Sequence, residues 1–232
     1  MYTLATFVVF ASFTFVYQYM QLVTGLSAFQ SGLWSLPIFC AFILGSQLAP
    51  RIAHRFHPFK IITAGLIIAS VGFFLVAGVS INSGLIMLVT GAFIYCLGLA
   101  PVFTLATDII VSAAPPERVG AASAISETGS EFGGAVGIAI LGSVGTFIFR
   151  NGMTDAMGTK IPPDIAFSAK QTLSAAVMEA GKLPPEQSHL LVNAAKNSFV
   201  AAMNFSAFSC AIIVLLMAVL MWLRMKRETK WS

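Results

Sequence analysis

Glu127 and Glu131 are the two residues of this sequence whose type and spacing most directly suggest chemistry. An i, i+4 spacing places both carboxylates on one face of a helix. Two ionised carboxylates one turn apart repel each other, which favours a shared proton near neutral pH. Such a pair can hold either a cation or protons, so the spacing predicts a site of cation and proton exchange. The alternative is an architectural role, in which the carboxylates hydrogen-bond to neighbouring helices.

The composition around this pair is that of an integral membrane protein. Of the 232 residues, 57% are hydrophobic and 9% are charged, and the mean hydropathy is +0.87. A soluble domain of this length needs far more polar surface. No charge occurs in three long runs, Met1 to Pro50, Ile61 to Thr107 and Asn197 to Leu223. Because a helix needs about 20 apolar residues to cross the bilayer, these runs predict spanning helices rather than barrel strands.

The glycine, proline and polar breaks divide the apolar runs into six predicted transmembrane helices. They lie near 3–24, 31–50, 60–79, 84–112, 119–149 and 197–224. The remaining segments are then a loop outside the membrane at 150–196 and a tail at 225–232. Positive residues gather in the loop 51–60, at Arg118 and after residue 223, which all lie on one side of six spans. The positive-inside rule makes that side cytoplasmic and predicts both termini there.

The fifth predicted helix carries two different faces. At about 1.5 Å per residue, Glu127 lies roughly 13 Å beyond Arg118, within hydrocarbon depth. An ionisable group at the centre of a span costs about 2.5 kcal/mol or more, so the pair is expected to face a wet cavity or a partner. Small residues that permit close helix packing recur on a face rotated by about 140°: Gly129, Gly133 and Gly137.

Other polar residues are weaker candidates for the same function. Ser123 and Ser130 lie near the carboxylate face, and Tyr17, Gln18 and Gln21 in the first helix are possible linings for a cavity that receives flat organic cations. The alternative for the first-helix residues is an interfacial aromatic belt.

Charged residues near the membrane surface and the polar segment between the last two spans are also ambiguous. Asp108 lies near the cytoplasmic end of the fourth helix, where it either reaches the interface or meets Arg118 in a gating contact. The segment 150–196 has two Pro-Pro pairs and apolar residues at helical spacing, which predicts an external helical hairpin. That hairpin is either a gate or a loop that covers helix ends.

Several functional classes lack their residues in this sequence. The three cysteines lie within apolar runs, where they pack as small hydrophobes, so no metal site is predicted. The basic residues follow the membrane topology and do not form a nucleic-acid footprint. No His-Glu-x-x-His or Gly-x-Ser-x-Gly motif occurs, so an enzyme is not predicted. No phosphate-binding loop and no cofactor is implied.

The residues of the fifth helix resemble those of a known family. The runs ERVGAASA at 117–124 and ETGSEFGGAVGIA at 127–139 are similar to the penultimate helix of the fourteen-helix drug:proton antiporters of the major facilitator superfamily. The resemblance is closest to the methyl viologen and quaternary ammonium resistance exporters. It extends to QLVTGLSA at 21–28 and to the stretch from Gly45 to Arg55 with Lys60 and Gly65, which look like the ninth to eleventh helices of that family.

The resemblance implies an all-α fold that forms the second, C-terminal half of such a transporter. Glu127 and Glu131 match acidic positions implicated in the family in cation recognition and proton coupling. The expected function is proton-coupled efflux of lipophilic cationic drugs from a bacterial inner membrane, with lipid, drugs and protons as partners. The first eight helices of the family do not precede Met1, so the missing half or a second copy is a further expected partner. The alternative is an inactive truncated fragment or a scaffold that needs a partner half.

Overall fold

The computed structural model describes residues 1–82, 84–157 and 161–228. Within these ranges the chain forms helices and no β-strand. Their bounds are α1 Tyr2–Gln18 with a π-helical continuation Tyr19–Val23, α2 Ala28–Ala53, α3 Pro58–Ala77, α4 Gly84–Ser112, a 3₁₀ turn Pro116–Arg118, α5 Val119–Met157, α6 Pro163–Ala169, α7 Leu173–Ala180 and α8 Pro185–Glu228. Helices α1 to α5 and α8 are long and apolar enough to cross a membrane. The prediction of an all-α membrane protein with six spanning helices is confirmed.

Local sequence signals explain where several helices begin. Ser27 and Gln30 form a capping box at the start of α2. The backbone N–H of Gln30 donates to Ser27 Oγ at 3.2 Å, and the backbone N–H of Ser27 donates to Gln30 Oε1 at 3.0 Å. Helices α3 and α8 begin at Pro58 and Pro185. A proline fits the first helical position because its missing N–H has no partner there in any case.

The interior of the bundle is held by close packing of α3 against α4. A Cβ atom added at Gly98 would lie 2.4 Å from the carbonyl oxygen of Gly65, and one added at Gly65 would lie 2.4 Å from the carbonyl oxygen of Gly98. Further along the same contact between α3 and α4, the rings of Phe73 and Tyr95 stack with their centroids 4.4 Å apart. Helix α3 also packs on α8, α2 on α4, and α5 on both α1 and α8. The core therefore lies along α3 and α4.

The last two helices are longer than the spans predicted for them, so the predicted ends at 149 and 197 are not the ends of the helices. Helix α5 does not stop at 149 but continues to Met157, and α8 begins at Pro185 rather than at 197. Polar residues such as Arg150 and Asp155 end a membrane span but do not end a helix. With 39 and 44 residues, the two helices are about 58 and 66 Å long, against about 30 Å of hydrocarbon. Both therefore project beyond the membrane.

The predicted external hairpin corresponds to two short helices beside these projecting ends. Helix α6 packs on α7, and α7 packs on α8. Ala169, Leu173 and Ala176 are buried as the apolar spacing predicts, whereas Val177 is 41% exposed. Helix α8 also continues past 224 to Glu228, so the first part of the predicted tail is helical. The rest of that tail, residues 158–160 of the external segment, and Ser83 lie outside the described residues.

Candidate functional site

The glycine face of α5 lies directly on the backbone of α1. A Cβ atom added at Gly133 would lie 2.3 Å from the carbonyl oxygen of Thr3, and one added at Gly137 would lie 2.3 Å from the carbonyl oxygen of Phe7. At Gly129 the nearest atom would be Thr3 Oγ1 at 3.2 Å. The distances at Gly133 and Gly137 leave no room for a side chain, so these two glycines set the separation of the two helices.

The carboxylate face of α5 points away from this contact and out of the six-helix unit. Glu127 and Glu131 are both exposed, and Ile125 and Phe132 on either side of the pair in the sequence are 75% and 65% exposed. Within the described part of the chain, neither carboxylate has a hydrogen bond or ion pair; the ion pair found there joins Lys182 and Glu179 at 2.9 Å. The contacts that an architectural role requires are therefore not made by these six helices.

An aromatic cavity of about 270 Å³ meets α5 at Ser130, and its lining contains neither Glu127 nor Glu131. It lies between α1, α2, α4 and α5, and Ser130, which stands between the two glutamates in the sequence, reaches its wall. The ring of Phe103 meets Tyr2 edge-on at 5.5 Å and Phe42 at 6.1 Å. The cavity lining comprises Tyr2, Thr6, Val9, Phe10, Phe13, Phe39, Phe42, Cys96, Phe103 and Ser130. Aromatic faces of this kind attract organic cations.

The sequence did not single out these phenylalanines as site residues. They come from three helices, α1, α2 and α4, and are separated by up to about a hundred positions, so no local spacing identifies them. With 20 Phe residues in the chain, composition does not distinguish them either. Only the packing of α1, α2 and α4 beside α5 brings them together.

The two glutamates lie inside a helical segment, Pro116–Met157, that is long and apolar enough to cross a membrane. Ser130 shares a cavity with Phe42, and Phe42 precedes Arg51 in α2 by nine residues, or about 13 Å of helix. That the carboxylates lie within hydrocarbon depth stays a prediction from the sequence.

The polar residues of the first helix belong to a different part of the molecule. Tyr17, Gln18 and Gln21 line a second cavity of about 370 Å³, which the start of α7 covers with Thr172 and Leu173. Helices α1 and α5 run parallel, because Thr3 lies against Gly133 and Phe15 against Gly145. Gln18 is therefore about 25 Å along the helix axis from Glu131. The structure does not bring these two groups together.

The remaining predicted residues lie at the surface. Ser123 is exposed near the start of α5, and Asp108 and Arg118 are exposed at the turn between α4 and α5. No ion pair joins Asp108 to Arg118 in the parts of the chain that the structure describes. The gating contact between them is thus not formed in this conformation.

Comparison with known proteins identifies the family. A sequence model of the Major Facilitator Superfamily matches residues 1–138. The chain belongs to the major facilitator superfamily. The matched region contains α1 to α4, both glutamates and the glycine face of α5, and it ends before the segment that projects from the membrane.

Relatives within this superfamily have names that describe export and resistance. The chain is 29% identical to the multidrug efflux pump LfrA of Mycolicibacterium smegmatis, over 92% of this chain and 42% of LfrA. It is 30% identical to the tetracenomycin C resistance and export protein of Streptomyces glaucescens, over 88% of this chain and 39% of that protein. It is 27% identical to the methyl viologen resistance protein SmvA of Salmonella typhimurium, over 92% of this chain and 43% of SmvA.

These comparisons bear on one prediction and on how much of each relative the chain represents. The named relatives are transport and resistance proteins, in agreement with the prediction that this superfamily member is not an enzyme. The chain spans about two fifths of the length of each of the three relatives.

Proposed function

We propose that the six helices form the C-terminal half of a proton-coupled exporter of lipophilic cations. The proposal rests on one observation: Glu127 and Glu131 are exposed on α5, a helix long and apolar enough to cross a membrane, and have no ion-pair partner among the described residues. A charge in that position needs a wet cavity or a facing group. A second set of helices packed opposite α5 supplies both, since it converts the exposed face into the wall of a central cavity.

The chemistry of the site fits cations and protons as competing ligands. When the pair is ionised it attracts a cation, and the aromatic cavity beside it offers ring faces to a flat organic group. Protonation of the pair removes the negative charge and releases the cation. If the two halves rock around the site, it is alternately open to each side of the membrane. The proton gradient then drives the cation outwards.

The relatives support the substrate class. Their names include multidrug efflux and methyl viologen resistance. Methyl viologen is a flat dication. We propose lipophilic cationic drugs and biocides of this type as substrates. The basic loop 51–60 and Arg118 support an orientation in a bacterial inner membrane with both termini in the cytoplasm.

A tolerance assay in a drug-hypersensitive bacterial host tests this proposal. The chain is expressed alone, with the first eight helices of a relative as a separate polypeptide, and as the Glu131→Gln variant with those helices. We expect protection against methyl viologen only when the complementary helices are present, because a central cavity needs both halves. Collapsing the pH gradient should remove the protection given by the paired wild-type chain. Glu131→Gln should give no protection with or without the gradient.

Two outcomes would contradict the proposal. Full protection by the chain expressed alone would show that the eight helices of a relative are not needed to complete the cavity. Export by Glu131→Gln with its dependence on the pH gradient unchanged would remove the coupling role of the carboxylate. Membrane insertion of each variant, measured by immunoblotting of the membrane fraction, is the control for expression.

A further inference from the structure

A groove of about 450 Å³ opens between α2 and α3, on a part of the bundle that contains no residue of α5. The two helices are consecutive, yet each packs mainly on α4 and they contact each other little. The space between them is floored by Leu97 and Pro101 of α4 and walled by aliphatic residues such as Ile52 and Ile68. Both Ile52 and Ile68 are at least 40% exposed, so the groove opens towards the lipid.

The mouth of this groove is positively charged. Phe56 and Lys60 line it, and Lys60 is the one charged residue of the lining. Arg51 and Arg55 are exposed and stand next in sequence to the lining residues Ile52 and Phe56. No acidic residue precedes Asp108 in the sequence, and none of these three cations is paired with a carboxylate in the described parts of the chain.

The start of α3 adds a further positive feature at the same mouth. The helix begins at Pro58, and its N-cap residue, His57, makes no side-chain hydrogen bond to the first turn. The amide groups and dipole of a helix start favour a negative charge nearby. The groove is thus wide and apolar enough for an acyl chain, and at its mouth lies a cluster of positive charges that pair with no carboxylate in the described parts of the chain.

We propose that this groove binds an anionic phospholipid, with one acyl chain between α2 and α3 and the headgroup phosphate held by Lys60, Arg51 and Arg55. The apolar walls fit a hydrocarbon chain and offer nothing to a polar ligand. The cations at the mouth select a negative headgroup over a zwitterionic one, as basic pockets between transmembrane helices do. Because a bilayer places the acyl chain and the phosphate at these two depths together, a phospholipid satisfies both parts of the site.

Native mass spectrometry of the purified full chain tests the proposal. The probes are phosphatidylglycerol and phosphatidylcholine with identical acyl chains. We expect the wild-type chain to retain phosphatidylglycerol at least several-fold more strongly. The triple variant Arg51→Gln, Arg55→Gln, Lys60→Gln should lower its retention to the level of phosphatidylcholine. A matched triple variant on the same membrane face, Arg118→Gln, Arg224→Gln, Lys226→Gln, should retain it as the wild type does.

A second variant separates the groove from general charge attraction. Ala64 lines the groove and is exposed, so Ala64→Phe fills the slot without changing any charge. It should reduce phosphatidylglycerol retention several-fold, while glycerol phosphate in solution should not displace the lipid. The proposal would be overturned if the wild type retained the two lipids equally. It would also be overturned if the triple variant that includes Lys60→Gln retained phosphatidylglycerol as the wild type does, or if glycerol phosphate displaced the lipid. Circular dichroism melting checks that each variant is folded, and Lys60→Gln alone replaces the triple variant if that one is not.

Discussion

Glu127 and Glu131 are exposed on a helix that is long and apolar enough to cross a membrane, and they have no ion-pair partner among the described residues. Their depth in the membrane, predicted from the distance to Arg118, stays a prediction. Their orientation away from the α1 contact also follows from helical periodicity. What the sequence did not predict is the set of ring faces beside them, because those rings come from helices whose neighbours cannot be deduced from spacing within one helix.

Neutralising the pair should affect function without affecting stability. Glu127→Gln and Glu131→Gln remove charges that make no contact among the described residues of the six helices, so each should change the free energy of unfolding by less than about 0.5 kcal/mol. Chemical unfolding of the purified chain in detergent, followed by circular dichroism, measures this change. Glu179→Gln, which removes a half-buried carboxylate that pairs with Lys182 at 2.9 Å, is the control for a glutamate that does have a partner.

A contrary result would be informative about the same residues. A loss of more than about 2 kcal/mol in either variant would match the cost of breaking a buried hydrogen-bond network. That result would favour the architectural alternative over cation and proton exchange.

At the scale of helices, hydropathy and spacing predicted some features and not others. The start of α3 at Pro58 lies close to the predicted residue 60, but the start of α8 at Pro185 and the extension of α5 through Arg150 to Met157 were missed, because hydropathy detects the membrane and not the helix. The glycine spacing predicted a packing face on α5. It did not identify α1 as the partner, since any helix with an accessible backbone satisfies the same spacing.

The tight contact between α5 and α1 predicts opposite effects for two glycines of one helix. Gly137→Ala places a Cβ atom 2.3 Å from the carbonyl oxygen of Phe7, so the backbone of α1 must move, at a cost of about 1–3 kcal/mol. Gly142→Ala meets no atom within 4 Å and should stabilise the chain by up to about 1 kcal/mol through helix propensity. Detergent unfolding of the two variants in parallel measures the difference. Equal effects would show that α1 and α5 do not pack at this distance.

At the scale of the whole molecule, the projecting ends of α5 and α8 separate the two sides of the membrane. Three positive sites, the loop 51–60, Arg118 and Arg224, lie on one side of the six spans, whereas α6 and α7 lie on the other. In the proposed orientation, which follows the positive-inside rule, the first side is cytoplasmic. We therefore predict that the segment α6–α7 and the cavity that it covers beside Gln18 are external.

Cysteine labelling in intact cells tests this arrangement. In a chain whose Cys40, Cys96 and Cys210 are replaced by alanine, Met178→Cys and Arg118→Cys provide one exposed thiol on each side, since Met178 is 75% exposed on α7 and Arg118 is exposed at the turn before α5. A membrane-impermeant maleimide should label the Met178→Cys chain in intact cells and the Arg118→Cys chain only after permeabilisation. The reverse pattern would invert the orientation and place the carboxylate pair nearer the external face, where cations arriving from the cytoplasm would reach it last.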